Sequence, residues 1–278
     1  MSHIHWYPGH IAKAEKQLKE KLNLVDVVIE VIDARLPISS AYPNIEKLLG
    51  NKPRLILLNK SDLADEVFLN KWIEIIKEKS GFPVIKTNAN SGKDFSLIIN
   101  NLIKLGEPSI QKLVAKGLLP RAIRVMVVGM PNVGKSSVIN KLIKKPKTKT
   151  GAKAGVTRQQ QWVRVNPKID LLDTPGIIPL RQDDQNAAYK LAIVNSIGEN
   201  AYDNEFVAEF LLKNLNEKYA ARIKEHYKID EDLTLENIAK SRNWLISDGE
   251  SDINRCAVFV LNDFRDGRLG RITLDELP

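Results

Sequence analysis

Gly129-Met130-Pro131-Asn132-Val133-Gly134-Lys135-Ser136 sets a glycine, then four residues, then a Gly-Lys-Ser triplet. That spacing belongs to a phosphate-binding loop, in which glycines let backbone N–H groups curl around phosphate oxygens. The apolar run Ile123–Val128 enters it, and an amphipathic stretch at 135–144 leaves it. Phosphate would therefore meet a helix N-terminus. Lys135 would reach the outer phosphates and Ser136 would ligate magnesium, with Asn132, Val133, Gly134 and Ser137 completing the cradle. The plain alternative is a glycine turn that matches by accident; the flanking strand and helix weigh against it.

A phosphate loop does not choose a base. Asn59-Lys60-Ser61-Asp62, directly after Leu55–Leu58, supplies that choice. A carboxylate at Asp62 accepts from guanine N1–H and from its 2-amino group. Adenine offers neither donor, and would leave the carboxylate unpaired. Lys60 can lay its stem along the base, and Asn59 can tie this loop to the phosphate loop. Asp173-Thr174-Pro175-Gly176 follows Ile169–Leu172, setting Asp173 on the water shell of magnesium and the Gly176 amide near a γ-phosphate. Thr157 follows a lysine-rich loop and could join Ser136 on the metal; a turn residue is the ordinary alternative. Thr87-Asn88-Ala89 follows Pro83–Lys86, where Ala89 could offer its N–H to the guanine oxygen. Asn88 stands there in place of the usual serine. Position 177, where many GTPases carry a water-orienting glutamine, is isoleucine.

These loops require a sheet that presents strand ends on one edge. Val27–Ile32, Leu55–Leu58, Pro83–Lys86, Ile123–Val128, Gln161–Val165 and Ile169–Leu172 read as strands. Helix periodicity fills roughly 11–24, 66–79, 94–105 and 135–144, the alternation of a parallel sheet covered by helices. Gly106, Pro108, Gly117 and Pro120 mark 106–121 as a connector. Beyond Pro179 the strand pattern stops. Phe206, Val207, Phe210, Leu211, Leu215 and Ile223 keep a helical period, as do Ile253, Cys256, Ala257, Val260, Leu261 and Phe264. About four helices are expected there.

The chain carries net charge +8, unevenly spread. Residues 179–278 hold 13 Lys+Arg against 19 Asp+Glu; residues 1–178 hold 29 against 15. A basic half of this size is suited to a polyanion. Lys144, Lys145, Lys147, Lys149, Lys153 and Arg158 crowd the loop before and after Thr157 and are candidate RNA contacts. The bland alternative is a solvated lysine face. The single cysteine, Cys256, excludes an intrachain disulfide and a cysteine-based zinc site, which fits a reducing cytoplasm. No apolar run approaches membrane-spanning length, and the start of the chain lacks a signal core.

In chain order the motifs are NKSD, TNA, the phosphate loop, the Thr157 loop and DTPG, whereas ordinary GTPases begin with the phosphate loop. With Trp6-Tyr7-Pro8-Gly9-His10 at the start, this order resembles the YlqF/RbgA family of circularly permuted ribosome-biogenesis GTPases. The resemblance implies an α/β fold: a circularly permuted P-loop GTPase domain over 1–178, with 1–24 as its N-terminal segment. Its mostly parallel sheet has helices on both faces, and a small all-α domain follows over 179–278. It implies binding of GTP and GDP, and magnesium-dependent hydrolysis stimulated by a large-subunit precursor late in maturation. It also implies that His10 assists water attack and that Asn132 accompanies a potassium ion. A monomer in the cytoplasm, not bound to a membrane, is expected. A GTP-switched RNA-binding scaffold that barely hydrolyses is the alternative, favoured by Ile177; a P-loop kinase has no use for NKSD.

Overall fold

A computed structural model describes residues 8–43, 45–92, 94–143, 162–172, 176–177, 184–247 and 249–278, with the side chains of 8–14 and 176–177 outside the description. Among the described residues the chain divides into two compact units, one within Tyr7–Arg181 with Leu277, the other within Gln182–Glu276 with Pro278.

The first unit runs α1 (Pro8–Leu22), β1 (Val27–Asp33), α2 (Ile45–Leu49), β2 (Arg54–Asn59), α3 (Glu66–Ser80), β3 (Val84–Lys86), α4 (Phe95–Ala115), β4 (Ile123–Gly129), α5 (Lys135–Leu142), β5 (Trp162–Asn166), β6 (Ile169–Leu172) and β7 (Gly176–Ile177). The described strands form one sheet in the order β3-β2-β1-β4-β6-β5, with β7 beside β4. Every pairing is parallel except β5 with β6. All residues of β1 and β2 are buried, as they must be in parallel strands covered on both faces, and this accounts for their nearly unbroken apolar runs. The polar residues of β1 are buried with partners: Glu30 lies 3.2 Å from the Arg54 guanidinium. The order sets β1 between β2 and β4, so three consecutive strand ends open toward one edge.

Local signals set the helix ends. Asp65 caps α3 by accepting from the Val67 and Phe68 amides, and Gly81 closes it at φ +70°. The expected connector at 106–121 is overturned in its first half, because α4 continues through Gly106 and Pro108 to Ala115. Phe95, Ile98, Leu102 and Gly106 form one buried stripe at helical spacing. A Cβ on Gly106 would stand 2.4 Å from Ile123 Cγ2. Gly106 is thus the point where the helix meets the sheet, and the continuing stripe outweighs the cost of Pro108.

The second unit contains five described α-helices, one more than expected: α6 (Gln185–Ile193), α7 (Asn204–Lys218), α8 (Ala220–Tyr227), α9 (Leu235–Ser241) and α10 (Ile253–Arg265). Val207, Leu211 and Leu215 of α7 and Cys256, Val260 and Phe264 of α10 are buried where those helices pack. Tyr189 of α6 adds ring contacts to Phe206 and Phe210 at 5.0 and 5.1 Å. Asp263 is buried but satisfied, accepting from the Tyr227 hydroxyl at 3.1 Å and from Arg268 Nε at 2.5 Å.

Candidate nucleotide site

The phosphate-loop residues bridge β4 and α5, as their spacing required. Gly129 and Gly134 each have a steric reason beyond the loop's curvature. A Cβ on Gly129, at φ +154°, would meet the Val31 carbonyl oxygen at 2.4 Å. On Gly134, at φ +98°, it would meet Asn59 Nδ2 at 2.1 Å. Asn132 adopts φ +58° and is exposed; Val133 is buried beneath the loop. Ser136 and Ser137 lie exposed in the first turn of α5. Lys135 is only 7% exposed, and its Nζ donates to the Met130 carbonyl at 2.5 Å. Burial pushes its ammonium down to about 8.

Asn59 joins the two nucleotide motifs. Its Nδ2 donates to the Val133 carbonyl at 2.9 Å, across 74 residues of sequence, and its Oδ1 accepts from the Ala89 amide at 3.1 Å. Lys60, at φ +59°, donates to the Asn132 carbonyl at 2.8 Å. Asp62 is exposed beside them. The third loop is held by the Ser61 amide, which donates to the Thr87 carbonyl at 3.2 Å. The Ala89 amide, the expected donor to a guanine oxygen, donates here to Asn59 Oδ1, and Asn88 Oδ1 accepts from the Asn90 amide at 2.9 Å. Both residues fix the loop's shape.

Gly176 pairs with Val128, and Ile177 with Gly129, so the backbone of DTPG's last residue runs beside the start of the phosphate loop. Asp173, Thr157 and the cluster Lys144, Lys145, Lys147, Lys149, Lys153 and Arg158 lie outside the described residues. The backbone of His10 falls in the first turn of α1, and its side chain lies outside the description. Of the three expected magnesium donors only Ser136 is described; its exposed hydroxyl, a hard oxygen at a helix N-terminus, has the right chemistry for that ion. Among the described residues no cluster of three or more His, Cys, Asp or Glu forms a metal site of its own.

Two charged residues at this edge escaped the sequence reading. Asp33 ends β1 opposite Asn59 in register, is fully buried, and meets Arg35 Nε at 3.0 Å and Lys60 Nζ at 2.9 Å. The signal was available: an Asp-x-Arg closes a strand, apolar but for Glu30, whose neighbours both end in nucleotide motifs. A separate cleft of about 550 Å³ lies at the other ends of β4 and β6, lined by Arg121, Arg124, Arg164 and Asp170 among others. No motif residue lines it.

Comparison with known proteins agrees with this geometry. A model of the 50S ribosome-binding GTPase family matches residues 124–242. The match opens in β4, so Asn59–Asp62 precedes it, as permutation demands. The ribosome biogenesis GTPase A of Bacillus cereus is 43% identical, over 98% of this chain and 93% of its own length. The GDP-bound structure of TM YlqF aligns with a TM-score of 0.68 at 29% identity, covering 94% of this chain and 98% of that one. GNP-bound YlqF from T. maritima gives 0.67 at 28%, covering 95% and 98%. With its two nucleotide motifs in permuted order joined through Asn59, and with relatives matching along nearly its full length, the chain belongs to the YlqF/RbgA family of ribosome biogenesis GTPases.

Proposed function

We propose that this GTPase hydrolyses GTP while bound to a precursor of the large ribosomal subunit, late in that particle's maturation, and that the particle stimulates it. The observation that carries the reading is the Asn59–Val133 bond, which makes one site of a base-reading loop and a phosphate cradle. Asn59, Lys60 and Asp62 hold guanine, and Asn132 to Ser137 hold the phosphates. Ser136, with Thr157 and Asp173, would hold magnesium, which when bound neutralises charge on the β- and γ-phosphates. Lys135 adds its own charge there, and the Gly176 amide senses the γ-phosphate, a role supported by the pairing of Gly176 with Val128 next to the phosphate loop. Water attacks the γ-phosphorus as the bond to the GDP oxygen breaks. Ile177 offers no hydrogen bond to that water, so His10 is assigned to orient it, and Asn132 is a candidate potassium ligand through its side-chain oxygen.

The basic cluster from Lys144 to Arg158 supplies contacts to RNA phosphate, and the factor works as a monomer in the cytoplasm. Among the described residues no helix is long and apolar enough to cross a membrane. Ile177 also favours a second reading, a GTP-dependent RNA-binding scaffold with negligible turnover. Co-sedimentation with large-subunit precursors in a GTP analogue and in GDP, with turnover measured on the same particles, separates the two. The expected result is tighter association in the analogue and turnover raised at least about tenfold by the particle. The His10→Ala variant should lose most of that stimulation while binding nucleotide normally. Association without any stimulated turnover would favour the scaffold.

A further inference from the structure

We propose that Asp33 is a positioning residue for nucleotide binding: anchored by Arg35, it clamps the Lys60 ammonium so that Lys60 can hold the phosphate loop. This deepens the reading of Asn59–Asp62 as the guanine-binding loop and rests on it.

The geometry forms a chain of contacts from the sheet to the loop. Asp33 is the last residue of β1, the strand flanked by β2 and β4, whose ends carry the two nucleotide motifs. Its backbone is fixed, with its amide donating to Ser40 Oγ at 2.9 Å and the next amide, of Ala34, donating to the Asn59 carbonyl at 2.8 Å. Its carboxylate is fixed as well. Arg35 grips it with two side-chain bonds, Nε to Oδ1 at 3.0 Å and Nη2 to Oδ2 at 2.8 Å, and with its backbone amide at 3.1 Å. Both side chains are essentially inaccessible to water. A bidentate guanidinium sets the plane of the carboxylate and leaves its direction invariant. Oδ2 then meets Lys60 Nζ at 2.9 Å, and the same Nζ donates to the Asn132 carbonyl at 2.8 Å.

Lysine is a flexible four-carbon chain, and an isolated one would hold a loop carbonyl only at the cost of its own rotamer entropy. Here the backbone of Lys60 is already in the left-handed region, which a side-chain-bearing residue keeps only when its surroundings determine it. With Asp33 holding the ammonium from behind, Lys60 reaches Asn132 preorganised, and its stem lies ready beside the base. Burial opposes the charge on Asp33, but Arg35 and then Lys60 overcome it and hold the carboxyl well below the usual carboxylate range. One arginine therefore serves the base loop and the phosphate loop through Asp33.

The test is a double-mutant cycle on nucleotide affinity, read by titration with fluorescent GDP and a GTP analogue. Asp33→Asn should weaken both nucleotides alike, roughly 10- to 100-fold, the worth of a charge-assisted hydrogen bond. In a Lys60→Met background the same change should cost less than about threefold, because the group through which Asp33 acts is gone. A residue that only supports the fold would cost as much in both backgrounds, and that result would overturn the proposal. So would unchanged affinity in Asp33→Asn. Should that variant fail to fold, Asp33→Asn with Arg35→Met removes both buried charges together and is read in the same cycle. The unaltered chain is measured first against GDP and ADP. Equal affinity for these would sink the guanine reading itself, a failure distinct from that of the clamp.

Discussion

Lys135 shows how much a single side chain is altered by its surroundings. From its place in the motif it would be an ordinary cation, but burial brings its ammonium down to about 8, close to working pH. Bound phosphates would return it toward its usual range, so the bound form carries more protons than the free form. Affinity should therefore be level below pH 8 and fall as pH rises through that value. Calorimetry of GDP binding at pH 8, in buffers of different ionisation enthalpy, should show uptake of about half a proton, lost in Lys135→Met. Heats independent of buffer would contradict this. This shift was not legible from residue types, because it depends on burial; the Asp33 clamp left one sequence trace, the Asp-x-Arg at the end of β1, but not its contact with Lys60. What could be read was chemistry set by spacing, as in Gly129 to Ser136.

At the scale of elements, β1, β2 and β4 were legible because strands buried on both faces need nearly continuous apolar runs. The far half of α4 was not, since Gly106 and Pro108 act as breakers only where no packing opposes them. Gly134 shows the reverse case, a residue singled out for its loop curvature to which the packing adds a second demand. It permits φ +98°, and it also leaves room for Asn59 Nδ2. Gly134→Ala should thus strain the backbone and push Asn59 off Val133, costing about 1–3 kcal/mol of stability. GDP should no longer raise the melting temperature of that variant. A GDP-induced rise equal to that of the unaltered chain would show that the loop tolerates the methyl group. Removing the Asn59 side chain first should reduce the stability cost to its backbone part.

Across the whole molecule, permutation joins the Thr87–Ala89 loop to the phosphate loop and gives Asp173–Gly176 a new successor in the chain. The polypeptide leaves Gly176 and runs on into the acidic helical unit of α6 to α10 instead of into another strand of the sheet. We infer that this continuity lets the state of the γ-phosphate reach the tail. Hydrogen exchange across residues 184–278 should then differ between GDP and GTP-analogue complexes, with the larger protection changes near α6. Identical exchange in the two states would mean that the connection transmits nothing.

The strand order has a further consequence, for the birth of the protein. β1 is the first strand synthesised, yet one of its two neighbours is β4, the fourth. Until the stretch from Asp33 to Ile123 has been translated, on the order of 5–20 s at usual elongation rates, that side of β1 has no partner. An unpaired edge on so apolar a strand is a template for wrong pairing. The base-reading loop also leaves the exit tunnel before the phosphate loop, so a nascent chain has nothing with which to close around nucleotide. A factor serving ribosome assembly is, during its own translation, a half-sheet that needs guarding.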